Sequence, residues 1–239
     1  MRCDKDKYMG QVIAIMQPYF LPYIGYWQLI KIVDKFVIYD DVNYIKGGWI
    51  NRNNLLLNGK VFMFNLILSG ASLKKLINEV LVNDDQPDFL KTIQRAYGKA
   101  PFFKDIFSLM NNIIEFKSKN LGEFIGNSIL KIADYLNFNT EFIYSSTIKK
   151  DNTLRAQDKI IHICKILGAT EYINAIGGQK LYDKELFKQN KIELKFLKTE
   201  ITEYKQFNND FIPNLSILDL LMFNSAEKIN VMLDKFELI

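Results

Sequence analysis

The chain has 239 residues, of which 49% are hydrophobic and 24% charged, a composition that builds a packed core and excludes a disordered, collagen-like or low-complexity polymer. Lys and Arg number 31 against 27 Asp and Glu, and the resulting net charge of +4 falls short of the excess by which charge alone announces a nucleic-acid binder. Two distant cysteines, Cys3 and Cys164, and one histidine, His162, supply neither a disulfide framework nor a thiolate zinc site, so no metal is expected and a reducing cytoplasm fits best.

The first segment to interpret is the uncharged stretch from Tyr8 to Ile30, long enough to cross a bilayer, which takes about 20 residues of helix. Pro18 and Pro22 break a continuous helix, and Gln11, Gln17 and Gln28 interrupt the apolar run. Its aliphatic part, Val12 to Met16, is shorter than the roughly 7 to 15 residues of a signal-peptide core. The stretch therefore reads as a buried strand, a proline-stiffened loop and a helix, with no membrane span. A helix over Ile24 to Val33, with Trp27, Ile30 and Val33 on one face, leads into a second strand, Lys35 to Tyr39. Such a strand-helix-strand unit makes a parallel pair and puts the loops after Met16 and Tyr39 on one edge.

Asn58-Gly59 between apolar runs predicts a hairpin across Leu55 to Leu66. Residues 73–136 read as mostly helical, with breaks near Asn83 to Pro87, Gly98 to Pro101 and Lys119 to Gly122. Strands resume at Glu141 to Tyr144, Glu171 to Asn174 and Ile192 to Leu197, separated by helices over Leu154 to Leu167 and Leu181 to Gln189. The expected fold is α/β: a mainly parallel central sheet of about five strands, Rossmann-like or nucleotidyltransferase-like, in a single domain over 1–239 with a helical insertion at about 73–136.

Three clusters sit at expected strand ends. After the first strand, Gln17-Pro-Tyr-Phe-Leu-Pro-Tyr-Ile-Gly-Tyr26 combines two stiffening prolines, aromatic rings and a glycine that lets a backbone approach closely. Tyr23-Ile-Gly-Tyr26 occupies the place of the His-x-Gly-His signature of nucleotidyltransferases but lacks its histidines, which keeps the fold analogy and removes the phosphate-contacting chemistry. After the second strand, Asp40 and Asp41 precede Lys46, Gly47-Gly48 and Asn51-Arg-Asn53. Adjacent carboxylates in extended chain point in opposite directions, so one faces the crevice while the other bonds the loop, and Arg52 can grip phosphate or carboxylate with two parallel bonds. An Asp-Arg pair that only pins the loop is an equal alternative. After a later strand, Asn174 precedes Gly177 and Gly178, whose backbone N–H groups, with a helix starting near Lys180, suit a diphosphate; a plain tight turn needs the same glycines. Ser216 reads as a helix N-cap with Asp219 completing a capping box, His162 as a packing or surface residue, Cys164 as a small buried hydrophobe, and Lys74-Lys75 and Lys149-Lys150 as solvated faces.

Several of these blocks carry a resemblance. Ile15 to Tyr26, Tyr39 to Lys46, Trp49 to Asn53, Tyr97 to Phe103, Leu167 to Asn174, Gly177-Gly178 with Leu181-Tyr182, and Phe211 to Leu221 occur in this order in the WbqC-like family, which the chain resembles from about Gln11 to Phe223. That family is associated with bacterial surface-polysaccharide (O-antigen) gene clusters, where enzymes build nucleotide-linked amino sugars. The resemblance implies a transferase that places an acyl or aminoacyl group on the nitrogen of a dTDP- or UDP-linked amino sugar. One crevice is expected, with Asp40 or Asp41 as base and Arg52 on an anionic group, and with Gln17, Tyr19, Tyr23, Lys46, Asn51, Asn174, Gly177 and Gly178 binding substrate. No cofactor is expected beyond an unidentified donor, and nucleic acid enters only as the carrier of an aminoacyl donor. Two other readings stand beside it: a non-catalytic sugar-nucleotide-binding protein of the same pathway, and a degenerate relative of the His-x-Gly-His nucleotidyltransferases.

Overall fold

A computed structural model describes residues 10–83 and 86–239; Cys3, Tyr8 and the Asp84-Asp85 part of one expected helix break lie outside the described residues. The fold is α/β with a mixed, mostly parallel six-stranded sheet. Its strands are β1 (Gln11–Met16), β2 (Lys35–Ile38), β7 (Glu141–Tyr144), β8 (Ala169–Ala175), β9 (Glu193–Thr199) and β10 (Phe236–Leu238), ordered β10-β9-β8-β1-β2-β7. All neighbouring pairs from β9 to β7 are parallel, and β10 is antiparallel to β9. The five strands expected from sequence are the five parallel ones. β10 is an addition to them.

Alternation along β1 explains its central place. Ile13 and Ile15 face one side and Ala14 the other, and all three are buried. On the first side they join Val37, Tyr172, Leu194 and Phe196, covered by α5 (Ala156–Ile166) through Ile160, Ile163 and Cys164 and by α6 (Lys184–Gln189) through Phe187. On the other side Ala14, Phe36, Ile38, Ile173 and Leu197 pack beneath α1 (Ile24–Ile32), α7 (Ile217–Phe223) and α8 (Ala226–Leu233). Side-chain period 2 thus divides the apolar residues into two cores.

Between β2 and β7 the chain makes a hairpin of β3 (Arg52–Leu57) and β4 (Lys60–Asn65), a short pair β5 (Leu68–Ser69) and β6 (Leu81–Val82), and helices α2 (Pro87–Tyr97), α3 (Phe103–Ile114) and α4 (Leu121–Tyr135). The hairpin turns at Asn58 and Gly59, both at positive φ (52° and 72°), the paired left-handed conformation that favours Asn-Gly in two-residue turns. Asn120 caps α4 by accepting the Glu123 N–H, and Gly98 ends α2. Tyr8 and Met9 aside, the uncharged N-terminal stretch forms β1, a loop and α1. Among the described residues no helix is long and apolar enough to cross a membrane.

From β1 the chain runs outward through β2 to β7, then returns to the other side of β1 and runs outward through β8 to β9. The reversal falls between β1 and β8. In open parallel sheets the crevice outside the carboxyl ends at such a point takes ligands, because the connecting chains diverge to opposite faces there.

Candidate functional site at the carboxyl edge of the sheet

The loop that leaves β1 is held in an unfavourable conformation. Leu21, fully buried, has φ 48°, a left-handed geometry that costs a non-glycine residue of order 1–2 kcal/mol. Its carbonyl accepts hydrogen bonds from Asn53 Nδ2 and Ser216 Oγ, both at 2.8 Å. The next carbonyl, of Pro22, accepts from the Trp27 indole and the Ile217 N–H, each at 3.0 Å. Four donors from three parts of the chain therefore fix the loop before any ligand arrives. Gly25, which the sequence suggests as a point of ligand approach, instead packs against the protein: a Cβ there would lie 2.3 Å from Thr199 Oγ1 and 2.7 Å from the Tyr23 ring.

This fixed loop forms one wall of a cavity of about 330 Å³ lined by Tyr19, Pro22, Tyr23, Trp49, Asn53 and Asn214. Its walls are chiefly aromatic, with two side-chain amides. Tyr19 stacks at a tilt on Tyr26, centroids 5.7 Å apart, and lies 3.5 Å through its hydroxyl from Gln17 Oε1. Burial, then the neighbouring Tyr23, pushes the Tyr19 phenol up, so it stays neutral and available as a donor. Arg52 borders the cavity with its guanidinium 5.6 Å over the Trp49 ring. Its Nε donates to the Gly48 carbonyl at 2.8 Å and a terminal nitrogen to Gly47, so it shapes its own loop and pairs with neither Asp40 nor Asp41. Asn51 accepts from the Tyr44 hydroxyl and donates to the Leu66 carbonyl, which ties the hairpin base. Lys46 is exposed.

The adjacent carboxylates separate as strand geometry requires. Asp40 is 3% exposed; its oxygens accept from the Ser146 N–H (2.9 Å), the Ser146 hydroxyl (2.6 Å) and, at 3.4 Å, the Asn78 amide. Through these bonds it anchors the loop after β7. Asp41 Oδ2 lies 2.7 Å from Lys150 Nζ and 3.8 Å from Lys159 Nζ, while Oδ1 is buried beside the Ser145 hydroxyl without a well-formed hydrogen bond. Burial pushes this carboxyl up, but the bond and charge of Lys150 and the charge of Lys159 outweigh it and hold the group below the usual carboxylate value. Lys150 is therefore not on a solvated face: its side chain is 2% exposed, and its ammonium also donates to the Ser145 carbonyl.

The end of β8 and the residues after it connect to this charged group through Tyr182 and Tyr39. Asn174 donates to the Tyr172 hydroxyl at 2.6 Å and lies 3.4 Å from that of Tyr182, and burial raises both phenols. Tyr39, at the end of β2, is raised by burial and by the nearness of Asp41 and Tyr182. Gly178 is needed for packing, since a Cβ would lie 2.7 Å from Asn174 Oδ1, whereas Gly177 faces open space. The helix expected near Lys180 starts later: Ile176–Leu181 is a 3₁₀ segment, and α6 begins at Lys184, its first N–H groups already taken by Asp183. That helix end is not free for an anion.

The edge thus holds two sets of contacts. Tyr19, Tyr23 and Gln17 belong with the aromatic cavity beside the hairpin, with Arg52 at its border; Asp41 and Asn174 belong with Lys150, Lys159, Tyr39 and Tyr182 on the face covered by α5. Lys159 carried a sequence signal, because it stands four residues before Ile163 on the buried stripe of α5. Ser216 is the N-cap of α7, bonding the Leu218 N–H, but no capping box forms: Asp219 instead accepts from Tyr97, Tyr204 and Gln206 in the core.

The model of the WbqC-like protein family matches residues 17–231, and the chain belongs to that family. A relative of this kind is the uncharacterized protein Rv1507c of Mycobacterium tuberculosis (strain ATCC 25618 / H37Rv), 29% identical over 222 residues that cover 90% of this chain and 94% of that one. No solved structure matches the chain significantly.

Proposed function

We propose that the protein binds a nucleotide-linked amino sugar at the carboxyl edge of the sheet and transfers an acyl or aminoacyl group to the sugar nitrogen. The observation that carries this reading is the pairing, on one strand edge, of a preshaped aromatic cavity with an ionised carboxylate set between two lysines. An aromatic wall with side-chain amides suits a base or sugar ring, which offers apolar faces and polar edges. The parallel strand order supports a Rossmann-like ancestry, in which nucleotides lie across the reversal point. The association of WbqC-like proteins with surface-polysaccharide clusters supports an amino sugar as the acceptor.

In such a transfer the amine attacks the donor carbonyl, the N–C bond forms as the donor's leaving group departs, and the amine proton must go to a base. Asp41 is the carboxylate available for it. Because its neighbours hold it ionised at neutral pH it is always ready but a weak base, so its contribution lies near the lower end of the usual range, about 10²-fold. The same weakness favours a second reading, a sugar-nucleotide-binding protein without turnover. The test offers purified protein dTDP- and UDP-linked amino sugars with acyl and aminoacyl donors and follows product mass. Transfer that falls about 10²-fold in Asp41→Asn supports catalysis. Tight binding with no turnover on any donor supports the second reading, and no binding of any nucleotide sugar removes both.

A further inference from the structure

The charged group behind Asp41 has one carboxylate for two ammonium groups. Lys150 and Lys159 are 2% and 10% exposed and Asp41 12%, and among the described residues neither lysine has another carboxylate within ion-pair distance. Lys150 is committed to Asp41 and the Ser145 carbonyl. Lys159 is not: 3.8 Å from Asp41 is beyond hydrogen-bond length, and its ammonium stands 5.6 Å over the Tyr39 ring. The Tyr39 hydroxyl also makes no hydrogen bond among the described residues. A nearly buried ammonium with unspent donors and an uncompensated charge is costly unless something anionic completes it. The neutral phenols of Tyr39 and Tyr182 and the Cys164 thiol add no negative charge, Asp40 is engaged by Ser146 and Asn78, and Asp158 of the same helical turn is exposed. Lys159 also lies near the N-terminus of α5, whose N-cap residue Arg155 supplies no side-chain cap, so no side chain at that cap offsets the positive end of the helix.

We propose that this cluster is an oxyanion site, in which Lys159 with the Tyr39 hydroxyl binds a phosphate or diphosphate and Lys150, locked by Asp41, positions the carboxylate that holds Lys159 in place. That the anion is the diphosphate of a nucleotide sugar rests on the function proposed above; the site itself rests on the charges and their burial.

Binding is measured by calorimetry on the full chain with inorganic pyrophosphate, UDP, dTDP and the phosphate-free nucleosides, at low and high salt. Saturable, salt-sensitive pyrophosphate binding is expected, weakened about ten- to a hundredfold in Lys159→Met, the loss of one charge-assisted hydrogen bond, and largely restored in Lys159→Arg. Tyr39→Phe, which removes one hydroxyl without disturbing packing, should weaken it less but in the same direction, and circular dichroism checks that each variant is folded. Absence of saturable pyrophosphate binding, or binding equal in the wild type and both Lys159→Met and Tyr39→Phe, overturns the site. If nucleotide sugars bind and Lys159→Met leaves them unaffected, the functional reading stands and this site falls. If pyrophosphate binds through Lys159 while no nucleotide sugar binds, the site stands and the functional reading falls.

Discussion

Replacing Lys150 by Met tests whether the Asp41 cluster is the buried ion pair that the geometry describes. Methionine keeps the apolar stem and removes only the ammonium, leaving Asp41 with a single lysine 3.8 Å away. Breaking a buried pair from one side costs about 3–5 kcal/mol, chiefly because the surviving charge has lost its partner. Asp41 keeps 12% of its side chain in solvent and retains Lys159, so the expected loss is nearer about 2–3 kcal/mol. Urea unfolding at pH 7 should register it as a lower midpoint with an unchanged slope. The pH dependence supplies the sign. The folded pKa of Asp41 lies below its ordinary value of 3.8, so the stability it contributes is complete above that value and is lost as pH falls through the folded pKa. The gap between wild type and Lys150→Met should therefore be constant above about pH 5 and narrow at acid pH below the ordinary value. Lys150→Met/Asp41→Asn should cost less than the sum of the single changes, because neither charge is then stranded. A Lys150→Met unfolding free energy within about 0.5 kcal/mol of wild type at pH 7, the range of ordinary surface substitutions, would refute the reasoning.

Gly126 sits in α4 where alanine would ordinarily add helix stability, but a Cβ there would lie 2.1 Å from the Tyr144 hydroxyl and 2.7 Å from the ring, so Gly126→Ala should lower stability by about 1–3 kcal/mol in thermal or urea unfolding. Cys164 is fully buried and burial pushes its thiol up to about 12, so alkylation at pH 8 followed by peptide mass mapping should leave it unmodified until urea unfolds the chain. Asp219 has its pKa raised, first by burial, so the native state holds the proton more tightly than the unfolded chain and this group's contribution falls as pH rises from its ordinary value through its folded one; Asp219→Asn should flatten that part of the stability profile. Ser216→Ala removes both the cap of α7 and a donor to the strained Leu21 carbonyl, and should cost about 1–3 kcal/mol in the same measurement.

What the sequence revealed followed local rules. Val12 to Met16 is apolar at every position because both of its faces are covered, and Asn58-Gly59 supplies the two left-handed residues its turn demands. The opposed directions of Asp40 and Asp41 follow from side-chain alternation alone. What it concealed depended on distant chain. β10 has three residues, too few for a period to declare itself, and exists through its pairing with β9. Lys149-Lys150 looks like any surface pair; Lys150 is buried because Asp41, far away in sequence, ends a neighbouring strand. The start of α6 is set by Asp183 as its cap, three residues later than a glycine turn suggests. Nothing near Leu21 in sequence foretells its left-handed backbone, since Asn53 and Ser216 impose it from elsewhere.

The central position of β1 also bears on how the chain reaches this fold. One flank of β1 closes early, for Ile13 meets Lys35 across only the loop and α1 that join the two strands. Its other flank, where Ile13 meets Tyr172, waits for a segment about 160 residues further along, and closing a loop of that length costs roughly 4–5 kcal/mol of chain entropy before any contact repays it. Until then a strand apolar on both faces offers an open row of backbone donors and acceptors. Refolding should therefore be slow and dependent on protein concentration, with aggregation competing through that one flank, and the commitment step is the arrival of β8 beside β1.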